Sequence, residues 1–188
     1  RFLLTDPISR WIPEIIDKKV ISQTDGKTIR EEPASPITFR DVLAHTAGVN
    51  PPRDALSPEE INLLNRKDTL EETILARAPL PLAFHPGEDW QYGSSTDYVA
   101  LLVERIADQP LPDFLEQRIF NPLRMEDTHY VVPREKVRRV ASVYSPSGPG
   151  KKIELFRAPA YRETSYFGGT AGLSSTAADY FRFSQMLL

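Results

Sequence analysis

Apolar positions in this chain come in short groups separated by prolines and glycines. The longest helical pattern is Val99, Leu102, Val103 and Ile106, at i, i+3, i+4 and i+7. It predicts a helix from about Ser95 or Thr96 to Ala107 with those four residues inward. Other helix starts carry their own signals. Thr38-Phe39-Arg40-Asp41 has capping-box form, with Val42 and Leu43 as buried positions. Ser57-Pro58-Glu59-Glu60 places a serine cap before a proline at the first helical position. Thr69-Leu70-Glu71-Glu72 opens a helix whose Ile74 and Leu75 face inward. Residues 111–119 read as a further helix, stopped by Asn121-Pro122. Thr176-Ala177-Ala178-Asp179 opens the last, with Tyr180, Phe183 and Leu187 on one stripe.

Strand patterns are fewer. Residues 128–132 are β-branched and aromatic and end at Pro133. Residues 140–144 and 152–156 could pair across the turn-rich segment 145–150. Residues 17–35 and 145–151 read as exposed loops. Many local helices with a few short strands give an α+β chain, mainly helical. The regular alternation of a parallel α/β domain is missing.

Composition narrows the functional classes. The 188 residues carry 23 basic and 26 acidic side chains, a formal charge of −3. A mixed, weakly acidic surface has no electrostatic footprint for nucleic acid. With no cysteine there is no disulfide framework and no thiolate metal site. Seventeen prolines punctuate the chain unusually often. Both ends read as cut: there is no initiator Met, and the last helical pattern runs to Leu188 without a cap.

No Ser-x-x-Lys, Gly-x-Ser-x-Gly, Lys-Thr-Gly, phosphate loop or His-Glu-x-x-His occurs. The three histidines, His45, His85 and His129, lack metal-ligand spacing. Two segments remain. In residues 84–95, Pro86-Gly87 forces a turn and Trp90 can bury its indole to anchor the loop. Tyr92 follows, just before a helix N-terminus, among the small residues Gly93, Ser94 and Ser95. Small neighbours leave its hydroxyl accessible, although an ordinary packing tyrosine beside a cap is the commoner reason for such a pattern. The second segment, residues 167–175, holds Gly168, Gly169 and Gly172. It suggests close backbone approach and no dinucleotide site, or simply a tight loop before a helix.

Taken together, five segments in this order resemble the serine β-lactamase and penicillin-binding-protein superfamily. They are residues 4–13, 37–49 (with Ala44-His45-Thr46-Ala47-Gly48), 84–92, 119–128 and 168–188. They are most similar to its class C-related, family VIII carboxylesterase branch. The resemblance implies that residues 1–188 form one incomplete domain. Residues 38–125 would be a mostly helical subdomain, and residues 126–188 short strands, a glycine-rich cleft loop and a final helix. The main antiparallel sheet would be largely missing. It makes Tyr92 the tyrosine of the second catalytic motif, with Ser94 where many relatives carry asparagine. Gly168 and Gly169 would border the acyl cleft, and His45 matches a usually structural histidine. Arg124 stands where relatives usually have glycine, which marks a local loop difference.

The implied reaction is ester hydrolysis through an acyl-serine. The nucleophile motif would lie before Arg1 and the third motif after Leu188, so these residues alone would be inactive. A phenol ionises near pH 10, so a tyrosine needs neighbouring cations to act as a base. The substrate would be a small ester or, less favoured because Ser94 replaces an amide, a β-lactam. Acyl transfer from the same site and a non-catalytic binding module are the alternatives. No metal, organic cofactor or nucleic-acid partner is implied, and the compartment stays open.

Overall fold

The computed structural model describes residues 2–24, 27–146, 148 and 152–188. The architecture is α+β and mostly helical, and its sheets among the described residues are two antiparallel pairs. The chain divides into two compact units, Arg1–Phe114 with Ser165–Gly172, and Leu115–Thr164 with Leu173–Leu188.

The first unit is built on helices α1 (Phe39–Ala44), α2 (Pro58–Leu63), α3 (Leu70–Ala76) and α4 (Ser95–Ala107). The first three open with reciprocal capping boxes. Thr38, Ser57 and Thr69 accept from the third helical N–H, and Asp41, Glu60 and Glu72 accept back from the cap N–H. These boxes satisfy orphan donors locally, which is why the sequence shows them. α4 packs on α1 and α3. Its buried side chains are Tyr98, Leu101 and Leu102, with Ser95, Asp97 and Ala100. The inward face is therefore rotated from the expected one, and Ile106 stays 39% exposed. Tyr98 is apolar over most of its surface, and burying its ring outweighs turning Val99 and Ile106 fully inward. On α1, Val42 is buried but Leu43 is exposed, and on α3 Leu75 is only half-buried.

Residues 17–35 are not a loop. β1 (Val20–Thr24) and β2 (Lys27–Glu31) pair antiparallel, with Val20 opposite Glu31 and Ser22 opposite Ile29. The Asp25-Gly26 dipeptide between them is a hairpin signal in the sequence, but it lies outside the described residues. The hairpin is fixed at its base. Ile21 N–H donates to Leu82 O at 2.9 Å and Leu82 N–H to Lys19 O at 2.7 Å. Lys18 is buried below, and its Nζ donates to the carbonyls of Leu80 (2.7 Å) and Arg77 (2.9 Å).

In the second unit, β3 (Val143–Pro146) pairs antiparallel with β4 (Ile153–Arg157). This is the expected pairing, with strand ends shifted by up to three residues. Of the connecting turn, Ser147, Pro149, Gly150 and Lys151 lie outside the described residues. The helix expected over 111–119 is α5 (Leu111–Leu115) followed by a π turn, Glu116–Phe120, which Asn121 N–H closes on Glu116 O at 2.9 Å. Residues 128–132 form no strand. Only His129 pairs, in one antiparallel bridge with Ser174. The neighbouring polar groups go to a carboxylate instead: Asp179 accepts from Asp127 N–H (2.7 Å) and Thr128 Oγ1 (3.0 Å). Asp179 lies in the first turn of α6 (Ala177–Met186), capped by Thr176 as the sequence predicts. Of the expected α6 stripe, Phe183 is half-buried while Tyr180 and Leu187 are exposed. Arg124 has φ 55°, so its loop keeps a left-handed turn of the kind glycine favours.

Two stability predictions follow from the first unit. Leu101→Ala should cost about 2–5 kcal/mol in denaturant unfolding, and Ile106→Ala less than about 1 kcal/mol; equal costs would mean the rotated face is wrong. Burial pushes the Lys18 ammonium down to about 7, against a value of about 10.4 in the unfolded chain. Above about pH 7 the unfolded chain therefore holds a proton that the folded chain has lost, so Lys18 makes stability rise with pH. Between about pH 7 and pH 9 the unfolding free energy of the native protein should climb relative to Lys18→Met, whose curve lacks this component.

Candidate functional site

The site grows from one backbone template in the first unit. α1 ends at His45, which takes left-handed angles (φ 61°) and donates its N–H to Asp41 O. The segment after it is laid along residues 83–91 by three backbone hydrogen bonds. Ala83 N–H donates to Gly48 O at 2.7 Å, Gly87 N–H to Thr46 O at 2.9 Å, and Gln91 N–H to His45 O at 3.0 Å. Gly48 has φ 68°, and a Cβ there would strike the Phe84 carbonyl. Only glycine allows the two segments to approach this closely.

Tyr92 leaves this template at its end. The residue is 69% exposed, and its ring packs on the His45 imidazole with centroids 4.9 Å apart. Its hydroxyl makes no hydrogen bond to the described residues. Trp90 does not anchor the loop by burial. It is 61% exposed and sits edge-on to His45 at 6.4 Å. The loop is held by its backbone pairing instead, which leaves both large rings facing outward.

Ser94 is the N-cap of α4 but makes no side-chain cap. Its hydroxyl donates to Asn50 Oδ1 at 2.7 Å, and its N–H reaches the same oxygen at 3.2 Å. Gly168 and Gly169 lie on the other side of the α4 N-terminus. A Cβ on Gly169 would collide with the Thr96 carbonyl, and one on Gly168 with the Tyr166 ring. The loop is pinned by Asp97 in the first turn of α4, whose Oδ1 accepts from Thr170 N–H at 2.9 Å and Oδ2 from Tyr166 Oη at 3.1 Å. Thr96 and Thr170 pair their hydroxyls at 3.0 Å. Burial first, and then the Asp97 charge, push the Tyr166 phenol up to about 12, so it stays a donor.

The structure therefore brings Tyr92, Ser94, Gly168 and Gly169 around one helix terminus. Sequence reading missed the residues that hold them: Asn50, Asp97, Tyr166 and Thr170. Asp97 had a signal, an acid three residues after a serine cap. Asn50 and Tyr166 had none, being 44 and 69 residues distant from their partners. Among the described residues, no cluster of three His, Asp or Glu side chains could hold a metal ion.

This arrangement offers an exposed phenol and a close-packed backbone rim, which suits acid–base chemistry at a carbonyl substrate. The chain is 31% identical, over its whole length, to Protein Rv1367c of Mycobacterium tuberculosis, covering 48% of it. It is 32% identical over 78% of its length to the lovastatin esterase of Penicillium rubens, covering 38% of that enzyme. The structure of EstCE1, a hydrolase with promiscuous acyltransferase activity, superposes with a TM-score of 0.71 at 26% identity. That match covers 98% of this chain and 52% of EstCE1. The chain spans about half the length of the curated relatives it matches, or less. The profile of the Beta-lactamase family matches residues 1–188, and the chain belongs to that family.

Proposed function

We propose that the full protein is a serine hydrolase of carboxylic esters, working through an acyl-serine, with Tyr92 as its proton-transfer residue. One observation carries this reading: the exposed Tyr92, whose hydroxyl has no partner among the described residues, stands on a loop whose backbone is fixed on both sides. The lovastatin esterase is a relative of matching kind. Because the 188 residues contain no Ser-x-x-Lys, the nucleophile and its lysine are assigned to the rest of the full protein. These 188 residues alone are then inactive.

In the proposed cycle the serine hydroxyl attacks the ester carbonyl and gives up its proton as the C–O bond forms. That proton, taken up by the serine's lysine, is relayed through the Tyr92 oxygen to the departing alkoxide, so the alcohol leaves neutral. Water then attacks the acyl-serine, and its proton returns to the serine oxygen as the acid departs. Ser94 and the Gly168-Gly169 backbone border the acyl cleft. Close packing of Gly169 on Thr96 keeps that rim free of side chains. Transfer of the acyl group to an alcohol instead of water is the second reading, favoured by the description of EstCE1.

The test is Tyr92→Phe in the full-length protein, assayed on a short-chain p-nitrophenyl ester. Loss of a positioned acid–base group should lower kcat by about 10²–10⁴-fold. A rate within a few-fold of the native protein would sink the assignment.

A further inference from the structure

Tyr92 is placed without a hydrogen bond of its own to the described residues, so something else must fix its hydroxyl. Upstream, Gln91 N–H is tied to His45 O, and the Tyr92 ring lies on the His45 ring. Downstream, the fixing group is the carboxamide of Asn50. Two donors from Ser94, its N–H and its hydroxyl, converge on Asn50 Oδ1. The N–H can only donate and needs an acceptor, so Oδ1 faces Ser94 and Nδ2 faces the other way. There it meets Gly93: a Cβ at residue 93 would collide with the Asn50 carboxamide. Nδ2 is itself buried and has no partner among the described residues. A buried donor without an acceptor is a standing cost. The fold retains it at a residue that contacts both amino acids following Tyr92.

We propose that Asn50 is the positioning residue of the candidate site. Its carboxamide oxygen anchors Ser94, its amide face admits only glycine at 93, and together these set where the Tyr92 hydroxyl stands. Ser94 then serves Asn50 rather than capping α4, which explains a serine N-cap that makes no cap bond. Asn50 acts through the loop and touches no reacting atom. The activity readout below rests on the esterase reading; the spectroscopic readout does not.

The experiment uses the full-length protein with 3-fluorotyrosine at position 92, and compares Asn50→Ala with Asn50→Asp. Alanine removes the acceptor for Ser94, whereas aspartate keeps an oxygen at the same place. Asn50→Ala should lower kcat on a p-nitrophenyl ester by about ten-fold or more with KM within about three-fold. Asn50→Asp should recover kcat to within about three-fold of the native protein. The fluorine resonance should shift or broaden in Asn50→Ala and return in Asn50→Asp. Should Asn50→Ala fail to fold, Ser94→Ala removes one of the two donors, and its kcat should fall about three-fold at unchanged KM. The proposal is overturned by a native kcat and fluorine spectrum in Asn50→Ala, by Asn50→Asp as impaired as Asn50→Ala, or by native kcat in Ser94→Ala. If Tyr92→Phe itself keeps native activity, the catalytic reading fails, and the fluorine spectra alone decide whether Asn50 places Tyr92.

Discussion

The Asp97 carboxylate, buried in the first turn of α4, is the constraint on which the site's geometry depends. An ionisable group in that position must find donors or lose the fold stability that burial takes from it. Asp97 finds them 69 and 73 residues away, in Tyr166 and the Thr170 N–H. Charge-assisted bonds of this kind are stronger than neutral ones. They draw residues 165–172 against α4 so closely that Gly169 has no room for a side chain beside Thr96. The position near a helix N-terminus also favours the negative charge, because the exposed N–H dipoles point toward it. A glycine-rich loop is thus tied to α4 by one carboxylate together with the Thr96–Thr170 hydroxyl pair.

The tyrosine loop on the same terminus is held differently. Backbone pairing with the segment after α1 replaces side-chain burial, which is why Trp90 and Tyr92 remain outward. Such close pairing leaves some polar atoms behind. His45 Nδ1, Asn50 Nδ2 and Gln91 Oε1 are all buried without partners among the described residues, and all lie in or beside this pairing. The helical core of the unit, from Ile12 and Val42 to Leu101 and Leu102, is apolar and fully packed. Three of the five such atoms among the described residues lie in or beside the backbone pairing; the other two, Arg77 Nε and Gln109 Nε2, lie in the helical part of the unit.

What could be read from the sequence was local. The capping boxes at Thr38, Ser57 and Thr69 stood out because both partners lie within four residues. Tyr92 and Ser94 were visible as an odd pairing of a phenol with small residues before a helix. Contacts that needed the fold were hidden. The inward face of α4 turned on how Tyr98 packs against α1 and α3, and periodicity counted Val99 and Ile106 as equals. The strand expected at 128–132 lost its ladder to Asp179, a partner 51 residues from Thr128. The hairpin at β1 and β2 carries an Asp-Gly signal in the sequence, but its anchor, Leu82, is remote.

One four-residue signature shows where local reading ends. Thr38–Asp41, Ser94–Asp97 and Thr176–Asp179 each place a hydroxyl at the cap and an acid three residues on. In α1 the acid returns to its own cap, closing the box. In α4 both members are diverted, Ser94 to Asn50 and Asp97 to the glycine-rich loop. In α6 the hydroxyl caps as expected, while Asp179 reaches Asp127, Thr128 and Arg182. Tyr180 and Phe181 of the same helix, and Leu187 just after it, are exposed. Identical local chemistry thus ends in a closed cap or a tertiary anchor, according to which unsatisfied donors the fold brings near. Of these three aspartates, the two that do not return to their own caps are the ones that bind a distant segment.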